Sequence, residues 1–123
     1  MAKMTEMDLN DYRDEAHSAA VKGGWYSNKD GAPKERNVGE MLCLIHSEIS
    51  EAMEGHRKRL MDDKLPHRKM VEVELVDAMI RIFDLAGYLC LDLEGAYWEK
   101  RNYNDSRADH KIENRLKEGG KAY

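Results

Sequence analysis

Apolar residues recur every three or four positions along nearly the whole chain, the period of amphipathic helices. Leu9, Tyr12, Ala16 and Ala19 share one side of a first helix predicted over Leu9–Val21, which Gly23 and Gly24 end. Residues 25–36 hold Asn28, Asp30, Gly31 and Pro33 without any period and are predicted as a loop. Asn37 and Glu40 have capping-box spacing at the head of a second helix that runs to about Leu60. Asp62, Asp63 and Pro66 mark the next break, with Pro66 suited to the first turn of a third helix. That helix continues through Val71–Gly87 and ends between positions 87 and 91. Asp92 then caps a fourth, Leu93 to about Asn104. From Asp109 the tail has only Ile112 and Leu116 as apolar anchors, which predicts a short polar helix unwinding at Gly119 and Gly120. The expected architecture is all-α: a four-helix-bundle-like subunit with a short C-terminal helix or tail, in a single domain over residues 1–123.

The third helix carries two apolar stripes. Val71, Leu75, Ala78, Ile82 and Ala86 form one, and Val73, Val76, Ile80 and Phe83 form another on a different side. A helix resting on a core needs one stripe, so the second predicts either a covering subunit or a fully intramolecular four-helix core.

Composition narrows the partners. Twenty Lys and Arg against 24 Asp and Glu give a net charge of −4, so the basic surplus of a nucleic-acid binder is missing. Cys43 and Cys90 have no paired spacing, which argues against a disulfide scaffold or a zinc knuckle. The most apolar run, Leu75–Leu91, is broken by Asp77, Arg81 and Asp84, so no membrane span is expected. The opening MAKMTEMDLN has no apolar signal core, and a cytoplasmic protein is the expectation.

Candidate chemistry lies in two acidic pairs. Glu48 and Glu51 are three apart on helix two, as are Glu74 and Asp77 on helix three, so each pair occupies neighbouring surface positions beside an apolar stripe. Packing of the two stripes would bring four carboxylates together, a costly arrangement unless protons or cations compensate. Oxygen ligands without His or Cys point to Mg²⁺, with Mn²⁺ as the alternative. On helix four, Lys100, Asn104 and Arg107 can line one edge and meet phosphate oxygens. The plainer alternatives are ordinary surface acids, and basic residues complementing a helix dipole.

In this order the motifs resemble the all-α nucleoside triphosphate pyrophosphohydrolases, the MazG-like superfamily that includes dimeric dUTPases and dCTPases. Glu48 and Glu51 are followed after twenty-two residues by Glu74 and Asp77, and then by Lys100, Asn104 and Arg107. Lys22, Gly23, Gly24, Trp25 and Tyr26 resemble the family's aromatic segment near the base. The resemblance implies Mg²⁺ held by Glu48, Glu51, Glu74 and Asp77. It also implies substrate contacts from Trp25, Tyr26, Lys100, Asn104 and Arg107. Cleavage between the α and β phosphates would release a nucleoside monophosphate and pyrophosphate, in a homodimer or a dimer of dimers. Catalytic roles would fall to Glu48, Glu51 and Lys100.

Ser47 stands where many such relatives carry a glutamate that orients or deprotonates the attacking water. The water would instead be steered by Glu51 or by an oxygen of Glu48, with His46 pointing elsewhere on the helix. Trp98 and Phe83 read as packing, His17 as lining an entrance, and Asn28 and Asn37 as within reach of a base edge. Two other readings stand beside the pyrophosphohydrolase: a non-catalytic nucleotide-binding or assembly module, and another metal-dependent phosphohydrolase. The base and sugar are left open by the sequence.

Overall fold

Asp8 starts the first helix through a reciprocal capping box: its carboxylate accepts the Asp11 N–H, and Asp11 accepts the Asp8 N–H, each at 2.9 Å. A computed structural model describes residues 6–107 and 111–121. The helices are α1 (Leu9–Lys22), α2 (Val38–Lys58), α3 (Met70–Tyr88), α4 (Leu93–Ser106) and α5 (Ile112–Arg115). The fold is all-α. Among the described residues there is no strand, only isolated bridges between Ser27 and Pro33 and between Met61 and Lys69. No helix among them is long and apolar enough to cross a membrane. Asp109, expected to start the last helix, lies outside the described residues.

The helix starts follow local interactions, which bear out the predicted start of α2 and shift that of α3. Asn37 caps α2 by accepting the Glu40 N–H at 2.9 Å, and Arg59 ends that helix in the left-handed region (φ 55°). Pro66 does not sit in the first turn of α3, which starts at Met70. It belongs to a turn organised by buried Asp62, whose Oδ2 accepts the N–H groups of Lys64 (3.0 Å) and Leu65 (2.8 Å). α3 ends at Tyr88, one residue past Gly87 and within the expected range, and the chain turns at Cys90 (φ 55°).

Two compact units result, the first reaching Leu91 and the second starting at Asp92. In the first, α3 packs against both α1 and α2. Its core is built of small residues: Ala16, Ala52, Ala78 and Ala86 are buried, together with Met41 and Leu85. Glycine extends this close approach. A Cβ at Gly55 would lie 2.7 Å from Met70 Cγ, and one at Gly87 would lie 2.8 Å from the ring carbon Cγ of His17. Gly87 is therefore the notch that lets His17 of α1 lie on α3. Neither stripe of α3 is fully covered among the described residues: Leu75 and Ile82 of one and Val76 and Ile80 of the other remain exposed.

In the second unit Asp92 caps α4 by accepting the Gly95 N–H at 2.9 Å. Trp98, expected among core positions, is 55% exposed, and its indole N–H donates to Glu94 at 2.7 Å. Helical geometry stops at Ser106, so Arg107 is an extended C-cap residue rather than a further helical position.

Candidate metal centre and the cavity beside it

Met41, Glu48, Ala52 and Gly55 follow one another on the buried face of α2. Helical spacing therefore carries Glu48 inward along with its apolar neighbours. On α3, Glu74 and Asp77 flank buried Ala78, and the α2–α3 packing brings the acids together. Glu48, Glu74 and Asp77 each offer a carboxylate oxygen, all within 4.8 Å of one another.

The electrostatics are those of a site short of positive charge. Burial, then the neighbouring Glu48 and Glu51 carboxylates, pushes Glu74 up to about 8. Asp77 is also raised, first by burial and then by Glu48, with Arg81 opposing the shift and Asp62 and Glu51 adding to it. Glu74 Oε2 is buried and has no hydrogen-bond partner among the described residues, an unsatisfied acceptor of the kind that native interiors seldom keep. An all-oxygen donor set with one orphaned lone pair fits a hard divalent cation.

Glu51 is exposed and stands beside Glu74, outside the three-carboxylate cluster. Ser47 is exposed and its hydroxyl donates to the Leu44 carbonyl of its own helix at 2.6 Å, so it points no base at the cluster. His46 is exposed as well. Arg81 supplies the positive charge. Its Nε donates to Glu48 Oε1 at 3.1 Å. Sequence reasoning took Arg81 and Asp84 only as interruptions of an apolar run, although Asp77, Arg81 and Asp84 repeat at four and three residues on one helix face.

All three line a cavity of about 550 Å³ that Glu48 shares, within the usual range for a small-molecule site. Its far wall comes from the loop after α1. Tyr26 donates its hydroxyl to Asp84 Oδ1 at 2.8 Å, and His17 Nδ1 meets the same oxygen at 2.9 Å. A carboxylate only accepts, so Nδ1 carries the proton. The Tyr26 and Tyr88 rings lie 5.1 Å apart, and the Arg36 backbone N–H donates to Tyr88 Oη at 3.0 Å. Burial and the bond to Asp84 raise the Tyr26 hydroxyl well above the usual phenol range. These contacts fix a segment whose sequence has no period. Trp25 lines the cavity while staying 64% exposed, and the Arg36 guanidinium carbon lies 5.9 Å from its ring centroid and 5.6 Å from that of Tyr26.

Asn28, read as within reach of a base edge, donates to the Pro33 carbonyl at 3.3 Å, and Asn37 caps α2 as its spacing to Glu40 predicts. On α4, the Lys100 ammonium lies 4.9 Å from the Tyr103 ring centroid and the Arg107 guanidinium carbon 5.7 Å from it. Asn104 Oδ1 is buried without a partner among the described residues. Two of the three polar residues picked from the sequence, Lys100 and Arg107, thus flank the Tyr103 ring in the second unit. No family model, no curated protein and no solved structure matches this chain.

Proposed function

We propose that this protein is a Mg²⁺-dependent nucleoside triphosphate pyrophosphohydrolase of the MazG-like kind. The observation that carries the reading is the three-carboxylate cluster with its orphaned Glu74 oxygen, beside a cavity lined by Glu48, Asp77, the Trp25 ring and the guanidinium groups of Arg36 and Arg81. Glu48, Glu74 and Asp77 hold Mg²⁺, with Mn²⁺ as a substitute, and Glu51 stands at the edge of that set. When bound, the cation neutralises phosphate oxygens and stabilises charge as it develops at the reacting phosphorus.

The chain's own groups do the rest. Glu51, exposed and outside the cluster, accepts the proton of the attacking water, a role Ser47 cannot take while its hydroxyl is committed to Leu44. Lys100, Asn104 and Arg107 bind the polyphosphate and balance charge on the departing pyrophosphate. Trp25 and Tyr26 form the base side of the site. The half-exposed stripes of α3 support a homodimer or dimer of dimers in which a second copy completes a four-helix-like core.

Incubation with each ribo- and deoxynucleoside triphosphate in Mg²⁺ tests the reaction, with monophosphate and pyrophosphate quantified together. The reading expects equal amounts of both products from a preferred substrate. Orthophosphate release would instead assign another phosphohydrolase. Stoichiometric nucleotide binding without turnover would favour a non-catalytic module, which the engaged Ser47 hydroxyl also fits.

A further inference from the structure

The end of the cavity away from the carboxylate cluster combines three functions that a planar heterocycle would use. Trp25 lines the cavity and is largely exposed, a ring on which a planar group can stack. Asp84 is an ionisable acceptor whose side chain is only 14% exposed. Its Oδ1 already receives both His17 and Tyr26, and Oδ2 has no hydrogen bond among the described residues. Arg36 holds its guanidinium over Trp25 and Tyr26 and has no carboxylate partner among the described residues. Asp84 and Arg36 flank the same tyrosine, one at its hydroxyl and the other over its ring.

Each of these features could be structural alone, since Asp84 also anchors the loop. A purely structural anchor, however, needs neither a vacant carboxylate oxygen on a cavity wall nor an unpaired guanidinium beside it. A carboxylate accepts and cannot donate, whereas a guanidinium donates and cannot accept. Together they complement an edge that offers an amine at one end and a carbonyl at the other. Cytosine and guanine have that edge. Thymine and uracil place carbonyls at both ends and would set one against the carboxylate, and adenine has no carbonyl for the guanidinium.

We propose that Asp84 and Arg36 are specificity-determining residues that select an aminocarbonyl base, cytosine or guanine, over thymine, uracil and adenine. This deepens the nucleotide reading and rests on it. Asp84 accepts from the exocyclic amine, Arg36 donates to the ring carbonyl, and Trp25 covers the ring face. His17 and Tyr26 act as positioning residues, since they fix the rotamer of Asp84 through Oδ1.

Calorimetric titration of the full chain with dCMP, dGMP, dAMP and dTMP in saturating Mg²⁺ tests the assignment. We expect dCMP and dGMP to bind about tenfold or more tighter than the other two. Asp84→Asn keeps an acceptor for His17 and Tyr26 but turns an amide N–H₂ toward the ligand. It should weaken dCMP and dGMP and strengthen dTMP, a reversal that loss of a loop anchor would not produce. Arg36→Ala should weaken dCMP and dGMP while leaving dAMP unchanged, and it tests the pair even if the Asp84 variant fails to fold. Equal binding of the four ligands, or an unaltered ranking in the folded variants, would overturn base selection while leaving the nucleotide reading intact. No binding of any of the four, or of the corresponding triphosphates, would overturn both.

Discussion

Arg81 donates from Nε to Glu48 Oε1 at 3.1 Å, so the cluster's most buried carboxylate is held by a cation from the neighbouring helix. Arg81 keeps 41% of its side chain exposed, and the pair is therefore screened and weak, about 1 kcal/mol or less. It balances the cluster without locking it. Arg81→Gln should raise the affinity for Mn²⁺ in the absence of nucleotide by about fivefold, the equivalent of that energy. An unchanged or weaker Mn²⁺ affinity would mean that Arg81 orders Glu48 rather than competing for it.

The raised Glu74 makes the metal-free protein sensitive to pH. Between the ordinary carboxyl value of 4.5 and about 8, the folded state binds more protons at this site than the unfolded chain. The sign of proton linkage then makes stability fall as pH rises through that window. Thermal unfolding in chelator should show a lower Tm at pH 8 than at pH 5, and saturating Mg²⁺ should narrow the difference. Metal binding near pH 7 should release protons, read as a dependence of binding heat on the buffer's ionisation enthalpy. A Tm that rises over this range would contradict the assigned burial of Glu74.

Glu74→Gln exchanges a repelled carboxyl for a neutral amide that can donate to Glu48 or Glu51. The metal-free variant should be more stable than the parent at pH 8, by about 1 kcal/mol, as when a functional site carries built-in strain. Equilibrium denaturation in chelator measures this. A loss of stability would mean that the acid is structural.

Gly87 offers a test of how the cavity's far wall is held. Gly87→Ala puts a methyl group against the His17 side chain, and should cost about 1–3 kcal/mol, the usual range for overpacking. Because His17 is bonded to Asp84, the variant should also disturb the Tyr26–Asp84 contact. Denaturant melts give the first effect and Tyr26 fluorescence or ring-proton shifts the second. An unchanged melt would show that α1 can move off α3 at no cost.

Periodicity gave the helices because Ala16, Met41, Ala52, Ala78 and Ala86 recur at helical spacing and are the residues that become buried. It also put Glu48 beside Glu74 and Asp77, since acids flanking packed stripes must meet when the stripes do. Pro66 was misplaced because the Asp62 turn, a matter of side-chain hydrogen bonding, has no period. Trp25 and Tyr26 were legible as candidates, but Arg36 and Asp84 were not, because their placement depends on the Tyr26–Asp84 and Arg36–Tyr88 contacts made across long separations in sequence. Gly87 near the end of α3 was legible, but the room it leaves for His17 was not, since spacing in one helix says nothing of the neighbour packed on it.

The most direct test of the central claim is Mn²⁺ binding followed by calorimetry and electron paramagnetic resonance, in the full chain and in Glu48→Gln and Glu74→Gln. A metal centre built from Glu48, Glu74 and Asp77 predicts stoichiometric binding by the parent and at least a tenfold loss of affinity in each folded variant. A parent that does not bind, or variants that bind as tightly as the parent, would contradict it.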